Sequence, residues 1–197
     1  MPSNDTDWSG LEVYTIGHST RSQDELVELL DSAGVTLLAD VRSYPRSRHN
    51  PQFNRDVLEE LLPSMGIRYI HLASLGGRRK GLGDESPNDA WRSLAFRGFA
   101  DYMLDPGFEE GLEELHELAS RARVAIMCAE AVPWRCHRSL VSDALVVRGA
   151  RVFHIVGDER VLPHELTSFA RVDGDRITYP SEEDEDAGRH AGAEASV

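Results

Sequence analysis

Short apolar runs alternate with longer amphipathic stretches along most of the chain, which predicts strands alternating with helices. The first run, Glu12-Val-Tyr-Thr-Ile16, reads as a buried strand. The next segment opens at Ser22 with Glu25 three residues on, the signature of a capping box. Leu26, Leu29, Leu30 and Ala33 follow at helical spacing, and Gly34 stops the helix. A second strand is expected at 36–41 and a second helix at 54–65, where Val57, Leu58, Leu61 and Leu62 share one face. A third strand follows at 67–72, a glycine-rich loop at 74–87, and helices at 88–104 and 108–121. A fourth strand at 123–128, a helix at about 136–148 and a fifth strand at 151–156 continue the pattern. Residues 160–180 read as a short helix with an irregular or hairpin-like end.

Strand alternating with helix is the pattern of a parallel sheet covered on both faces. The expectation is a single three-layer α/β domain over residues 11–180, with a mostly parallel sheet of about five strands. Residues 1–10 read as a disordered leader and 181–197 as a disordered acidic tail. The tail holds six acids and one arginine.

Composition narrows the class. A chain of 197 residues suits one domain, and no apolar run approaches the ~20 residues of a membrane span. The polar, acidic N-terminus resembles neither a secretory signal nor a transit peptide, so a cytoplasmic location is expected. Two cysteines cannot build a disulfide framework. The net charge of −13 disfavours nonspecific nucleic-acid binding and no membrane partner is expected. Of 21 basic residues only Lys80 is a lysine, which suits either salt adaptation or a GC-rich genome.

In open α/β sheets, ligands bind beyond the carboxyl ends of the strands. Those ends are rich here. The first leads into Gly17-His18-Ser19, and the second into Asp40-Val-Arg42 followed by Pro45 and Ser47. The third opens into Leu75-Gly76-Gly77-Arg78-Arg79-Lys80, and the fourth into Cys128-Ala-Glu130 and then Cys136-His137-Arg138. Together with Tyr14-Thr-Ile16, Phe53 and Tyr102-Met103, in this order from about residue 12 to 157, these stretches resemble the domain-of-unknown-function 488 family. The resemblance implies the fold and the location of the site and carries no reaction with it.

The residues themselves suggest roles. Histidine is the usual general base near neutral pH, and a short turn could aim His18 into the crevice beside the Ser19 hydroxyl. Asp40 could orient a base or a ribose hydroxyl, or form a structural ion pair with Arg42. Glu130, just beyond the fourth strand, could have its pKa raised by partial burial. Cys128 reads as packed, whereas Cys136 opens a helix among Arg135, His137 and Arg138, where the thiolate is favoured. The catalytic candidates are therefore His18, Asp40, Glu130 and Cys136. Ser19, Arg42, Ser47, Gly76 and Gly77 are the expected anion-binding set, joined by Arg135, His137 and Arg138.

Eight basic residues (Arg42, Arg46, Arg48, Arg78, Arg79, Lys80, Arg135 and Arg138) fall in these loops, and guanidinium forks match phosphate geometry. Trp91, Trp134, Tyr44, Phe53 and Phe96 offer stacking faces near the mouth, Trp134 foremost. An enzyme acting on an anionic, phosphate-bearing small molecule or nucleotide is the leading expectation, with no cofactor assigned. The rivals are a nucleic-acid-processing or nucleic-acid-binding module and a Cys/His metal-binding or redox-sensing protein. Cys128, Cys136, His137 and His18 could supply four zinc ligands, but the cysteine spacing is too wide for a zinc knuckle, and no metal is expected. Six residues separate Cys128 from Arg135, one more than a phosphatase loop uses. Neither a Gly-x-Gly-x-x-Gly nor a P-loop is present.

Overall fold

The computed structural model describes residues 6–157 and 160–181. Its elements run β1 (Glu12–Gly17), α1 (Gln23–Ser32), β2 (Leu37–Asp40), α2 (Arg55–Ser64), β3 (Arg68–His71), α3 (Leu94–Tyr102), α4 (Pro106–Ala119), β4 (Val124–Cys128), α5 (Arg138–Val147), β5 (Arg151–Gly157), β6 (Arg160–Pro163), β7 (Arg171–Asp173) and β8 (Arg176–Thr178). Five strands are parallel in the order β3-β2-β4-β1-β5, and β6 adds antiparallel to β5.

Handedness explains the layers. The chain moves one way along the sheet from β1 through β2 to β3, and the other way from β3 through β4 to β5. Right-handed crossovers therefore put α1 and α2 on one face and α3, α4 and α5 on the other. The two cores match. Leu26, Leu30, Leu58 and Leu62 pack on Ile16, Leu38 and Met127, while Phe99, Leu112, Leu115 and Leu140 pack on Val13, Leu37 and Ile126. Alternation along each strand divides its side chains between these cores, so the central strands are buried along their length.

Local signals account for the helix ends. Both hydrogen bonds of the capping box between Ser22 and Glu25 are present, and Gly34 lies at φ 67 beyond the last turn. Asp105 caps α4, with Pro106 in its first turn.

Three expectations need correction. The helix placed at 88–104 begins at Leu94, because Asn88 is fixed by tertiary bonds from its amide to Asp101 and from the Tyr179 backbone to its carbonyl. Residues 160–181 contain no helix; they form edge strand β6 and the hairpin β7–β8. The sheet thus has six strands. Trp8, within the segment expected to be disordered, is fully buried edge-on to His116, 5.0 Å between ring centroids. The acidic tail lies outside the described residues, apart from Ser181, whose backbone and hydroxyl bond Asp89.

Candidate functional site

The turn after β1 is built on a close approach. Gly17 pairs in register with Cys128, and a Cβ on Gly17 would lie 1.8 Å from the Glu130 carbonyl oxygen. Only glycine lets the two turns touch, and the His18 and Ser19 amides then bond the carbonyls of Cys128 and Ala129. Ser19 is held at φ 50, the left-handed region that a side chain adopts at a cost of about 1 kcal/mol.

His18 is buried against Phe53, 4.6 Å between ring centroids. Its Nδ1 donates to the Ser19 carbonyl at 2.9 Å, so Nε2 is the acceptor, and it receives Arg42 Nη1 at 3.2 Å. Burial, with the Arg42 charge adding to it, lowers the pKa of His18 and keeps the ring neutral.

Asp40 and Arg42 form a buried ion pair. The guanidinium donates through Nε and Nη2 to both carboxylate oxygens at 2.6–3.1 Å and through Nη2 to the Phe53 carbonyl. Tyr69 donates a further bond of 2.6 Å to Asp40. Asp40 is fully enclosed and does not line the cleft, so its part is to position Arg42 and, through it, His18. Tyr69 stands opposite Leu38 in the parallel register of β2 with β3, and only its long side chain carries the hydroxyl on to Asp40.

Across the cleft, His137 is held from three sides. Its Nε2 donates to the Leu75 carbonyl at 3.0 Å, and Phe99 meets the ring edge-on at 4.9 Å. A Cβ on Gly77 would stand 2.4, 2.7 and 2.8 Å from Nδ1, Cγ and Cε1, distances that place it over the ring face. Nδ1 therefore presents its lone pair to Cys128 Sγ at 3.8 Å and Cys136 Sγ at 3.7 Å. The two buried thiols stand close enough to act on each other. Its neighbour Cys136 lowers the Cys128 pKa well below the usual thiol value, while Cys128 and burial push Cys136 well above it.

These groups line a cleft of about 740 Å³ at the carboxyl ends of β1, β2 and β4. His18, Ser19, Arg42, Ser47, Gly77, Glu130, Arg135, Cys136 and His137 all reach it, together with Cys128, Arg46 and Arg78. Two expected anion contacts do not. Arg138 is fully buried and clamps the carbonyls of Glu130 and Ala131 at 2.6 and 3.0 Å, and Gly76 packs beneath Ser43. Arg79 is likewise committed, lying 3.7 Å over Tyr102 and donating to three backbone carbonyls. Ser47 mainly shapes its loop, its hydroxyl accepting the Asn50 amide. Glu130 is exposed on the rim, without the partial burial expected of it. Of the candidate stacking faces, Phe53 is buried and Trp91 packs on Phe96, Phe169 and Tyr179. Tyr44 remains 68% exposed on the cleft wall, 5.3 Å from the Arg78 guanidinium.

A second polar cluster was not read from the sequence. Asp143 on α5 accepts His164 Nε2 at 2.8 Å and Tyr179 Oη at 2.8 Å. The chain continues from His164 Nδ1 to His154 Nε2 at 2.9 Å and from His154 Nδ1 to Thr15 Oγ1 at 2.7 Å. The chain of bonds fastens the C-terminal segment to the core. Burial, then the neighbouring His164, lowers the His154 pKa to about 3. Because the unfolded chain takes up this proton near pH 6.5, the stability it contributes is complete above that pH and is lost as pH falls toward 3. Urea unfolding of the wild type should lose about 2–3 kcal/mol from this group between pH 7 and 4.5. His154→Gln should remove that share of the pH dependence, and parallel profiles for the two proteins would refute the assignment.

The family described as "Domain of unknown function DUF488" matches residues 22–145, and the chain belongs to that family. No curated protein and no solved structure matched the chain.

Proposed function

We propose that the protein is an enzyme acting on a phosphate-bearing small molecule or nucleotide bound in this cleft. The observation that carries the reading is the convergence of Arg46, Arg78 and Arg135 on a cleft whose lining contains one acid, Glu130. All three are exposed, and none pairs with a carboxylate among the described residues. Guanidinium groups left without counter-ions at a concave surface favour a multiply charged oxyanion. Beneath them, His18, Cys128, Cys136 and His137 supply the reactive floor. To act as a base, His18 would first exchange its bond from Arg42 for one from substrate. Tyr44 beside Arg78 offers a face for a nucleobase, which favours nucleotides within the class.

Isothermal titration calorimetry with inorganic phosphate, pyrophosphate and nucleoside phosphates tests this at low salt. At least one should bind, more weakly as salt rises. Arg78→Ala and Arg135→Ala should each weaken it about tenfold, the loss expected for one charge-assisted hydrogen bond. Absence of binding across the panel, or arginine variants that bind as the wild type does, would remove the reading.

A further inference from the structure

We propose that Cys128, Cys136 and His137 bind one zinc ion through their two Sγ atoms and Nδ1, with the fourth coordination position facing the cleft. The three ligand atoms lie within 4.8 Å of one another. The two sulfur-to-nitrogen distances are 3.8 and 3.7 Å. Zinc bonds of about 2.3 Å to sulfur and about 2.0 Å to nitrogen place tetrahedral S and N ligands about 3.6 Å apart, close to both sulfur-to-nitrogen distances here.

The imidazole is already prepared for this use. Its Nε2–H is anchored on the Leu75 carbonyl, which fixes the tautomer with the lone pair on Nδ1. A backbone acceptor on the far nitrogen is the usual support of a ligating histidine. Gly77 covers one face of the ring and Phe99 touches it edge-on, so the ring cannot turn Nδ1 away from the sulfurs. A structural cysteine pair would have no need of a histidine oriented in this way.

The donor set selects the ion class. Two thiolates and an imidazole are soft to borderline ligands, suited to zinc and unsuited to magnesium or calcium. Binding Zn²⁺ displaces the thiol protons, and two thiolates with a neutral imidazole balance the dication. His18 is not the fourth ligand, because Nδ1 is held by Ser19 and Nε2 by Arg42. No further histidine, cysteine or carboxylate joins the cluster among the described residues. All three ligands line the arginine-bearing cleft, so the remaining position is open to water or to an oxygen of an anion held there. Three protein ligands with one open position is the arrangement of catalytic rather than structural zinc. The wide spacing of Cys128 and Cys136, which argued against a zinc knuckle, is what the fold requires: one ligand ends β4 and the others precede α5.

Zinc content does not depend on the anion-binding reading. A protein that holds zinc yet ignores phosphates would support this site and refute that function. The test is elemental analysis of untagged protein purified without chelators, together with Co²⁺ reconstitution of the reduced apoprotein. About one zinc per chain is expected, with thiolate-to-cobalt charge-transfer and tetrahedral d–d bands. Cys128→Ser, Cys136→Ser and His137→Gln should each weaken Co²⁺ binding by about 100-fold or more, with circular dichroism confirming the fold. His18→Gln should keep the bands. Reduced, folded wild-type protein that takes up neither metal would overturn the proposal. So would intact-mass detection of a Cys128–Cys136 disulfide in metal-free purified protein, or loss of the cobalt bands in folded His18→Gln.

Discussion

Asp40→Asn is expected to cost about 3–5 kcal/mol of folding stability, the loss typical of a buried ion pair deprived of one partner. The carboxylate is fully buried and the guanidinium nearly so, and Asp40 accepts three side-chain bonds from Arg42 and one from Tyr69. An asparagine of the same shape keeps the space filled but leaves Arg42 charged in a site without a counter-ion. Such a loss would consume a large part of the 5–15 kcal/mol that holds most domains folded. Urea unfolding at pH 7 measures it directly. The double variant Asp40→Leu with Arg42→Met should recover most of the stability, because removing both charges also removes their desolvation. It should still weaken anion binding, because His18 and the cleft wall lose Arg42. A loss below about 1 kcal/mol in Asp40→Asn would mean that water reaches the pair.

Gly17→Ala should be comparably severe for a different reason. The added methyl would meet the Glu130 carbonyl oxygen at 1.8 Å and its carbon at 2.5 Å, both backbone atoms with no rotamer to change. The turns after β1 and β4 must then part, breaking the bonds from the His18 and Ser19 amides to Cys128 and Ala129. The expected cost is about 3 kcal/mol, at the upper end for overpacking, and anion binding should fall with it. Gly10→Ala is the control. Gly10 has φ 81 and nothing within 4 Å of an added Cβ, so only the backbone strain of about 1 kcal/mol applies. Equal thermal shifts in the two variants would show that the contact at Gly17 yields easily.

Much of the fold was legible because its signals are local. The capping box at Ser22, the leucine spacing of α1 and α2 and the apolar runs of β1, β4 and β5 depend on neighbours a few residues away. The region after residue 157 was harder to read. Pairing of β6 with β5 and of β7 with β8 is decided by partners and edges, and short polar-apolar segments carry little periodicity. Trp8 escapes the local pattern for a related reason: a polar leader with one aromatic looks unstructured until a surface such as that beside His116 receives it.

Residue order sets the succession of the elements and the edge of the sheet where chemistry collects, since parallel strands send all their carboxyl ends to one side. The partners of each side chain come from contacts in three dimensions. The tertiary structure gathered both cysteines around Nδ1 of His137, an arrangement that depends on distances of a few ångströms across the cleft. It withdrew Asp40 and Arg138 from the cleft and left Arg46, Arg78 and Arg135 lining it. It also joined Thr15, His154, His164 and Asp143, residues as many as 149 positions apart, into one chain of bonds. Residue type sets what a side chain is able to do; which partner stands within hydrogen-bonding reach sets what it does.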